Sequence, residues 1–288
     1  MAAPLVIRVP GEMSAWSDAV RGRGDRLAFV PTMGALHEGH TSLMVEGKQR
    51  ARHLVVSVFL NPIQFGPGED LAKYPRDLAG DLVRAEAAGA DVAFVPEAAN
   101  MYPVGFQTTI EVRDLQTGLC GGRRPGHFLG VATVVCKLFN IVRPHLALFG
   151  EKDFQQLVVI RRLVRDLDIP VEIVGMPIVR EPDGLARSSR NVYLSREERA
   201  RALSLMRALD AARLRFDAGE RDAAILRRAA REVLAAELAL DKGLDRGDYV
   251  ELRDAETLAP LGVLDRPAVL ALAVYVGSTR LIDNVRLG

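Results

Sequence analysis

His37 and His40 stand in the stretch PTMGALHEGH (31–40), at a spacing and in a setting suited to phosphate chemistry. The stretch follows an apolar run and opens a helical pattern. A helix start offers unpaired N–H groups and positive potential to an anion. Gly34 and Gly39 allow a ligand to approach the backbone closely. Imidazole donors at that point can stabilise charge that grows on a polyphosphate in a transition state. Read as helical, His37 and His40 share one face. The competing readings are a zinc pair and a satisfied structural histidine. Zinc wants further Cys, His or carboxylate ligands, and none is evident nearby.

Other stretches at the ends of apolar runs extend the same chemistry. NPIQFG (61–66) offers Asn61 and Gln64, uncharged groups suited to a substrate's hydroxyls and carboxylate, although Asn-Pro is first of all a turn signal. FGEKDFQQ (149–156) offers Lys152, a compact cation for phosphate. Gln156 lies four residues on, above Lys152 if both are helical, and Asp153 suits a helix cap. RSSRN (187–191) offers Ser188, Ser189 and Arg190, a set of donors for phosphate oxygens; the plainer reading is a linker. There is no GxGxxG after a strand and no GxxxxGK[ST], so a dinucleotide dehydrogenase and a P-loop kinase are disfavoured. Histidine pair, lysine and Ser-Ser-Arg together point to nucleotidyl transfer.

The elements that must position these groups alternate along the chain. LAFVPT (27–32), HLVVSVFL (53–60), ADVAFVP (90–96), LALFG (146–150) and VEIVGMPIVR (171–180) read as buried strands. Helical segments fall near 40–52, 77–89, 130–143 and 153–167, with Pro144 ending the third. Continuous apolar strands separated by helices imply a parallel sheet covered on both faces, an α/β, Rossmann-like layer. In such sheets ligands bind outside the carboxyl ends of the strands, where the motifs lie. After about residue 182 the composition changes. EPDGLARSSRN reads as a polar loop, and Ser195 with Glu198 forms a capping-box pattern opening a long helix. A second helix covers roughly 222–240. YVELRD (249–254) and the stretch 268–287, with a turn near Gly277, read as antiparallel strands. The expected division is 1–181, a nucleotide- and substrate-binding domain, and 182–288, a smaller α+β domain.

Bulk properties narrow the class. With 288 residues and 49% hydrophobic composition the chain is long enough for a substantial core. A net charge of +1 gives no basic excess of the kind nucleic-acid binders carry. The two cysteines, Cys120 and Cys136, form no metal-finger spacing. The N-terminal stretch lacks a leader pattern and no apolar run is long enough for a membrane span, so a cytoplasmic location is expected, with no membrane or nucleic-acid partner.

PTMGALHEGH, NPIQF, RPGHF, LFGEKDFQQL and DGLARSSRN together resemble the motifs of the pantoate–β-alanine ligases, with a weaker echo in STRLIDN (278–284). The resemblance runs from about residue 27 to 195; the His-x-Gly-His pattern alone marks only a wider nucleotidyltransferase superfamily. It implies that ATP, with Mg2+, and (R)-pantoate form a pantoyl adenylate, which β-alanine then converts to pantothenate and AMP. It also implies a homodimer and a C-terminal lid. Under it Met33, Gly34, His37, Gly39 and His40 line the ATP site, with His40 a proton donor and His37 a phosphate contact. Gly150, Lys152 and Asp153 hold ATP, with Lys152 on the phosphates. Val179 touches the adenine, and Arg187, Ser188, Ser189 and Arg190 close on the phosphates. Gln64, Gln156 and Asn61 serve pantoate and β-alanine, and Asp81 is a contributor near the metal.

The chemistry agrees with such roles. A carboxylate has oxide for a leaving group; adenylation replaces it with AMP. Bringing two anions together calls for cations and helix dipoles. The pattern is departed from at Arg187, where an aliphatic residue is expected and whose side chain would point to solvent, at Thr41 and at Cys120. Arg123, Arg124 and His127 in CGGRRPGHF suit either an anion site or a basic surface loop. The rivals are another nucleotidyltransferase with the same histidine pair and a non-catalytic ATP-binding regulator.

Overall fold

The computed structural model describes residues 3–240 and 245–288. The chain divides into two compact units, the first made of residues up to Gln116, Arg124–Glu151 and Val159–Pro177, the second of Thr117–Arg123, Lys152–Val158 and Ile178–Gly288. The main break thus follows Pro177. The short insertions at 117–123 and 152–158 carry no change of composition that would mark them.

The first unit is built on six parallel strands: β1 (Leu5–Ile7), β2 (Leu27–Thr32), β3 (His53–Val58), β4 (Val92–Phe94), β5 (Leu146–Gly150) and β6 (Glu172–Met176). Their order is β1-β4-β3-β2-β5-β6. The strands are apolar on both sides because helices cover both faces. Ala28, Val30, Leu54, Val56, Leu146 and Leu148 pack with Leu43 and Met44 of α2 (Glu38–Arg50) and with Ala85 of α3 (Leu78–Ala87). The alternate residue Phe29 meets Phe139 of the long helix His127–Val142 edge-on, with centroids 6.5 Å apart. The helix Pro10–Gly22, α1, joins that helix through Ser14 Oγ, which donates to Ile141 O at 3.1 Å. Two short helices, α4 (Ala98–Met101) and α5 (Leu119–Arg123), precede the long one, α6, and α7 (Phe154–Asp166) follows β5.

The sheet has a strand and helix that periodicity missed. β1 has only three residues, too few to show a period, and α1 begins at Pro10-Gly11, a pair that reads as a turn. The runs 53–60, 90–96 and 171–180 yield strands shorter than their apolar extent, because pairing ends at Val58, Phe94 and Met176.

In the second unit, β7 (Asp245–Asp254), β8 (Ala268–Val276) and β9 (Thr279–Leu287) form an antiparallel sheet in that order, with Gly277 at φ 57° in the β8–β9 turn. α8 (Arg196–Ala202), α9 (Ser204–Asp217) and α10 (Ala223–Glu237) complete a core around Leu205, Leu209, Leu226, Leu234, Leu270 and Leu272. The Ser195–Glu198 capping box forms as expected. The long helix it was expected to open is two helices: Leu203 leaves the ladder, its N–H turning to Arg201 O, and buried Ser204 starts α9. Apolar spacing does not register a one-residue interruption. Residues 178–187 form a hairpin with a bridge between Arg180 and Ala186, where a strand end and a plain loop were expected. Among the described residues, no helix is long and apolar enough to cross a membrane.

Candidate functional site

β2 and β5 are neighbours, and from them the chain proceeds in opposite directions, through β3 and β4 on one side and β6 on the other. A sheet reverses its winding at such a point, and the diverging loops leave a crevice at the carboxyl ends. The stretch 31–40 leaves β2 there, and β5 ends there at Gly150.

The loop from Met33 to Leu36 owes its shape to Gly34 and Asp81. Gly34 has φ +86°, and a Cβ on it would meet Asp81 Oδ2 at 3.0 Å and Val58 Cγ1 at 3.1 Å. Ala35 is also left-handed, at φ 50°. Ala35 and Leu36 are held by Asp81, 2% exposed, whose carboxylate accepts from Leu36 N at 2.6 Å and Ala35 N at 3.0 Å. Burial raises the Asp81 carboxyl above the usual range despite these two amide donors.

His37 lies in front of α2 as its N-cap, at φ −142° and ψ 179°, so the pair does not share a helical face. Instead the rings stack, tilted by 34°, with centroids 4.1 Å apart. Gly39 N donates to His37 Nδ1 at 3.2 Å, and His37 N donates to His40 Nδ1 at 3.3 Å. The two imidazoles form a capping box of an unusual kind. With Nδ1 accepting on both rings, each neutral imidazole carries its proton on Nε2. Gly39 is required at this point: a Cβ would lie 2.9 Å from His37 Cε1. Thr41, a departure from the family pattern, returns its hydroxyl to His37 O at 3.3 Å.

The 61–64 motif is a 3-10 turn, Pro62–Gln64, locked from below. Asn61, 1% exposed, donates from Nδ2 to Gln64 Oε1 at 3.0 Å and to Gly130 O at 3.2 Å. Its Oδ1 accepts from Tyr102 OH at 2.7 Å. Gln64 Nε2 reaches Met33 Sδ at 3.0 Å, so the first two motifs meet. α6 crosses the turn at Gly130, where a Cβ would lie 2.5 Å from Ile63 O and 2.6 Å from Gln64 Cα. His127 Nδ1 bonds Gln64 O at 2.9 Å, and Arg124 binds Glu69 through two nitrogens, at 2.7 and 2.6 Å. Arg124 is therefore committed to Glu69.

In the second unit Lys152 lies in a 3-10 turn, Glu151–Asp153, ahead of α7, so it does not sit on the helix below Gln156. Asn284 Nδ2 donates to Lys152 O at 2.9 Å, fixing the backbone that carries the lysine. Neighbouring Asp283, 3% exposed, accepts two bonds from Arg180, at 2.7 and 3.0 Å. Gln155 is buried and donates to Gly118 O at 2.9 Å, while Gln156 is half-buried. In the 187–191 segment, Ser188 Oγ caps the turn by accepting from Arg190 N at 3.3 Å. Arg187 does not point to solvent: it pairs with Glu181 at 2.9 Å, and Arg199 and Asn191 reach the same carboxylate at 2.6 and 2.7 Å. Val179 O accepts from Arg187 N at 2.9 Å, closing the hairpin. Cys120 Sγ lies 3.2 Å from Tyr249 OH and 3.5 Å from Arg280, and Arg123 pairs with Asp248 at 3.0 Å. Both guanidinium groups of this segment thus have carboxylate partners, Arg123 on Asp248 and Arg124 on Glu69.

Each unit thus collects its own share of the expected residues: Met33, Gly34, His37, Gly39, His40, Asn61, Gln64, Asp81 and Gly150 in the first, Lys152, Asp153, Gln156, Val179 and Arg187–Arg190 in the second. Among the described residues no group of three or more His, Cys, Asp or Glu is arranged to hold a metal ion. Tyr102 and Gly130 were not anticipated; Asp283 and Asn284 stood only within the weaker echo STRLIDN (278–284), with no role given to either.

A family profile described as pantoate-beta-alanine ligase matches residues 5–286. The chain is 56% identical to the pantothenate synthetase of Geobacter sulfurreducens over 287 residues, covering 98% of each, and 55% identical to that of Myxococcus xanthus, covering 99% and 97%. The crystal structure of pantothenate synthetase from Thermus thermophilus superposes with a TM-score of 0.90 at 45% identity, covering 98% of both chains. That of the pantoate-beta-alanine ligase from Francisella tularensis, complexed with beta-gamma ATP and beta-alanine, gives 0.79 at 31% identity over 98% and 97%. With its fold and nearly its whole length matched, the chain belongs to the pantoate–β-alanine ligase family.

Proposed function

We propose that this chain joins (R)-pantoate to β-alanine through a pantoyl-adenylate, consuming ATP and releasing AMP and pyrophosphate. The observation that carries the reading is the paired imidazole cap on α2 at the carboxyl end of β2, where each neutral ring has its N–H on Nε2. Donors of this kind at a helix start suit the pyrophosphate, whose charge grows as the bond from the α-phosphorus breaks. Family membership favours this reading over another nucleotidyltransferase or a regulator without turnover.

In the first step a pantoate carboxylate oxygen attacks the α-phosphorus of ATP and pyrophosphate leaves. In the second the β-alanine amine attacks the acyl carbon, the C–O bond to AMP breaks, and the amine gives up its proton. No side-chain nucleophile is needed. Magnesium enters as the ATP complex, held chiefly by phosphate oxygens and water. His40 is assigned as proton donor to the pyrophosphate and His37 as a phosphate contact. Met33, Gly34 and Gly39 are assigned to the ATP-side backbone. Gln64 and Gln156 are assigned to the hydroxyl and carboxylate groups of pantoate, and Asn61 acts through Gln64. Lys152, Ser188, Ser189 and Arg190 are assigned to the phosphates, Gly150 and Asp153 to the nucleotide, and Val179 to the adenine. Arg187, paired with Glu181, shapes this loop. Asp81, expected near the metal, serves as the anchor of the 33–36 loop. The homodimer, the lid role of the C-terminal residues and the cytoplasmic location belong to the same proposal; light scattering tests the first.

The deciding experiment follows pyrophosphate, AMP and pantothenate from ATP, Mg2+ and (R)-pantoate, with and without β-alanine. Pantothenate is expected only with all substrates present, and pyrophosphate release that ignores pantoate overturns the reading. His40→Ala and Lys152→Ala should each lower turnover sharply with the fold retained; near-full activity in both removes the assigned mechanism.

A further inference from the structure

We infer that Tyr102, which lies outside every motif, is a positioning residue for the Gln64 amide, acting through Asn61 so that Gln64 turns only N–H donors toward its ligand. The inference deepens the ligase reading and rests on it.

The polarity of the network follows from one atom that has no alternative. Gly130 O is a backbone carbonyl and can only accept, so the Asn61 atom 3.2 Å from it is Nδ2. The same Nδ2 lies 3.0 Å from Gln64, so the Gln64 atom facing it is Oε1. The remaining Asn61 atom is Oδ1, and Tyr102 OH, 2.7 Å away, must donate to it. The Gln64 nitrogen then faces Met33 Sδ at 3.0 Å. A thioether is a weak acceptor, and a carboxylate or hydroxyl oxygen of the acid substrate is a better one. Gln64 is thus held as a donor, its acceptor oxygen already committed to Asn61.

Tyr102 is built to donate. It follows α4 as the C-cap residue, and its ring packs at 6.3 Å from Phe59 and edge-on at 5.1 Å from Phe106. Lys137 Nζ sits 4.9 Å from the Phe106 centroid and 6.0 Å from that of Tyr102. Burial pushes the phenol far above its ordinary value, so it keeps its proton at neutral pH. Removing the hydroxyl strands Oδ1 of an asparagine that is 1% exposed, and the two amides lose one of the two bonds that oppose their joint rotation, the other being that to Gly130 O.

Tyr102→Phe tests the relay. kcat/KM for the acid substrate is expected to fall about tenfold, as an oriented donor is lost, with the KM for ATP near that of the wild type; the unpaired buried oxygen should also bring the unfolding transition to lower urea without loss of the fold. In the Gln64→Ala background the same change should cost almost nothing further, a non-additivity that a merely structural tyrosine would not produce. Asn61→Asp, which cannot donate to either carbonyl oxygen, serves as the second variant and should show the same selective loss. Wild-type acid kinetics in Tyr102→Phe, additive losses with Gln64→Ala, or an equal rise in the KM for ATP would overturn the relay alone. A wild-type protein that forms no pantothenate would overturn the ligase reading, and the relay with it.

Discussion

The rings of His37 and His40 stack 4.1 Å apart while each takes a backbone N–H of the α2 start on Nδ1. The cap that stabilises the helix is therefore also the device that sets both tautomers, and Gly39 between them bears on the His37 half of it.

Gly39→Ala is the sharpest probe of that arrangement. Its Cβ would stand 2.9 Å from His37 Cε1 and 3.1 Å from Nδ1, so the ring must leave the cap. The lost cap should lower stability by about 1 kcal/mol, measured by urea unfolding. Turnover should fall by at least about tenfold, as an oriented donor is lost. Unchanged turnover would show that the His37 orientation does not matter to the reaction.

Asp81→Asn examines the loop before the histidines. The carboxylate accepts at 2.6 and 3.0 Å from two successive amides, and asparagine must set its own NH2 against one of them. A loss of about 1–3 kcal/mol is expected, with a raised KM for ATP. The pH dependence adds a second check. Burial holds the folded carboxyl above its ordinary value, so the folded state binds this proton more tightly than the unfolded one. Asp81 thus costs stability at neutral pH, a cost relieved as pH falls through its folded pKa. That contribution should vanish in Asp81→Asn.

At Gly130 the contact is with backbone, which has little room to give. A Cβ there would lie 2.5 Å from Ile63 O and 2.6 Å from Gln64 Cα. Gly130→Ala should cost about 1–3 kcal/mol from overpacking and raise the KM for the acid substrate more than that for ATP. Equal effects on both substrates would detach the 61–64 turn from acid binding.

The carboxylate of Glu181 should set part of the acid stability of the second unit. Burial by itself would raise its pKa, but hydrogen bonds from Asn191, Arg187 and Arg199 outweigh burial and hold it down to about 2, against an ordinary value of 4.5. Its contribution is present above the ordinary value and lost as pH falls through the folded one. Stability to urea should therefore drop between about pH 4.5 and about pH 2, and Arg187→Met should flatten that drop. An unchanged slope would mean that the Arg187–Glu181 pair is broken in solution.

Much of the fold was legible because parallel strands covered on both faces must be continuously apolar. The runs 27–32 and 146–150 have the extents of β2 and β5, and the Ser195–Glu198 cap formed where its spacing called for it. The candidate residues were legible as types in order along the chain, with the motifs at 31–40, 61–66 and 149–156 each at the end of a strand. What escaped was short or indirect: β1, with three residues, the break at Leu203, and every residue that acts by holding another.

The tandem Gln155-Gln156 marks where sequence stops and structure begins. Local sequence determined that two amides, a lysine and a histidine pair would follow strand ends, because strand and helix periods are properties of neighbouring residues. Which glutamine is tied down was decided by Gly118 O, 37 positions away. Likewise Asn61 became a buried brace because Tyr102 and Gly130 came to it, and His37 became a cap because the backbone turned before α2. Hydrogen-bond donors and acceptors are chosen by proximity in space, and partners tens of residues apart leave no period in the sequence to reveal them.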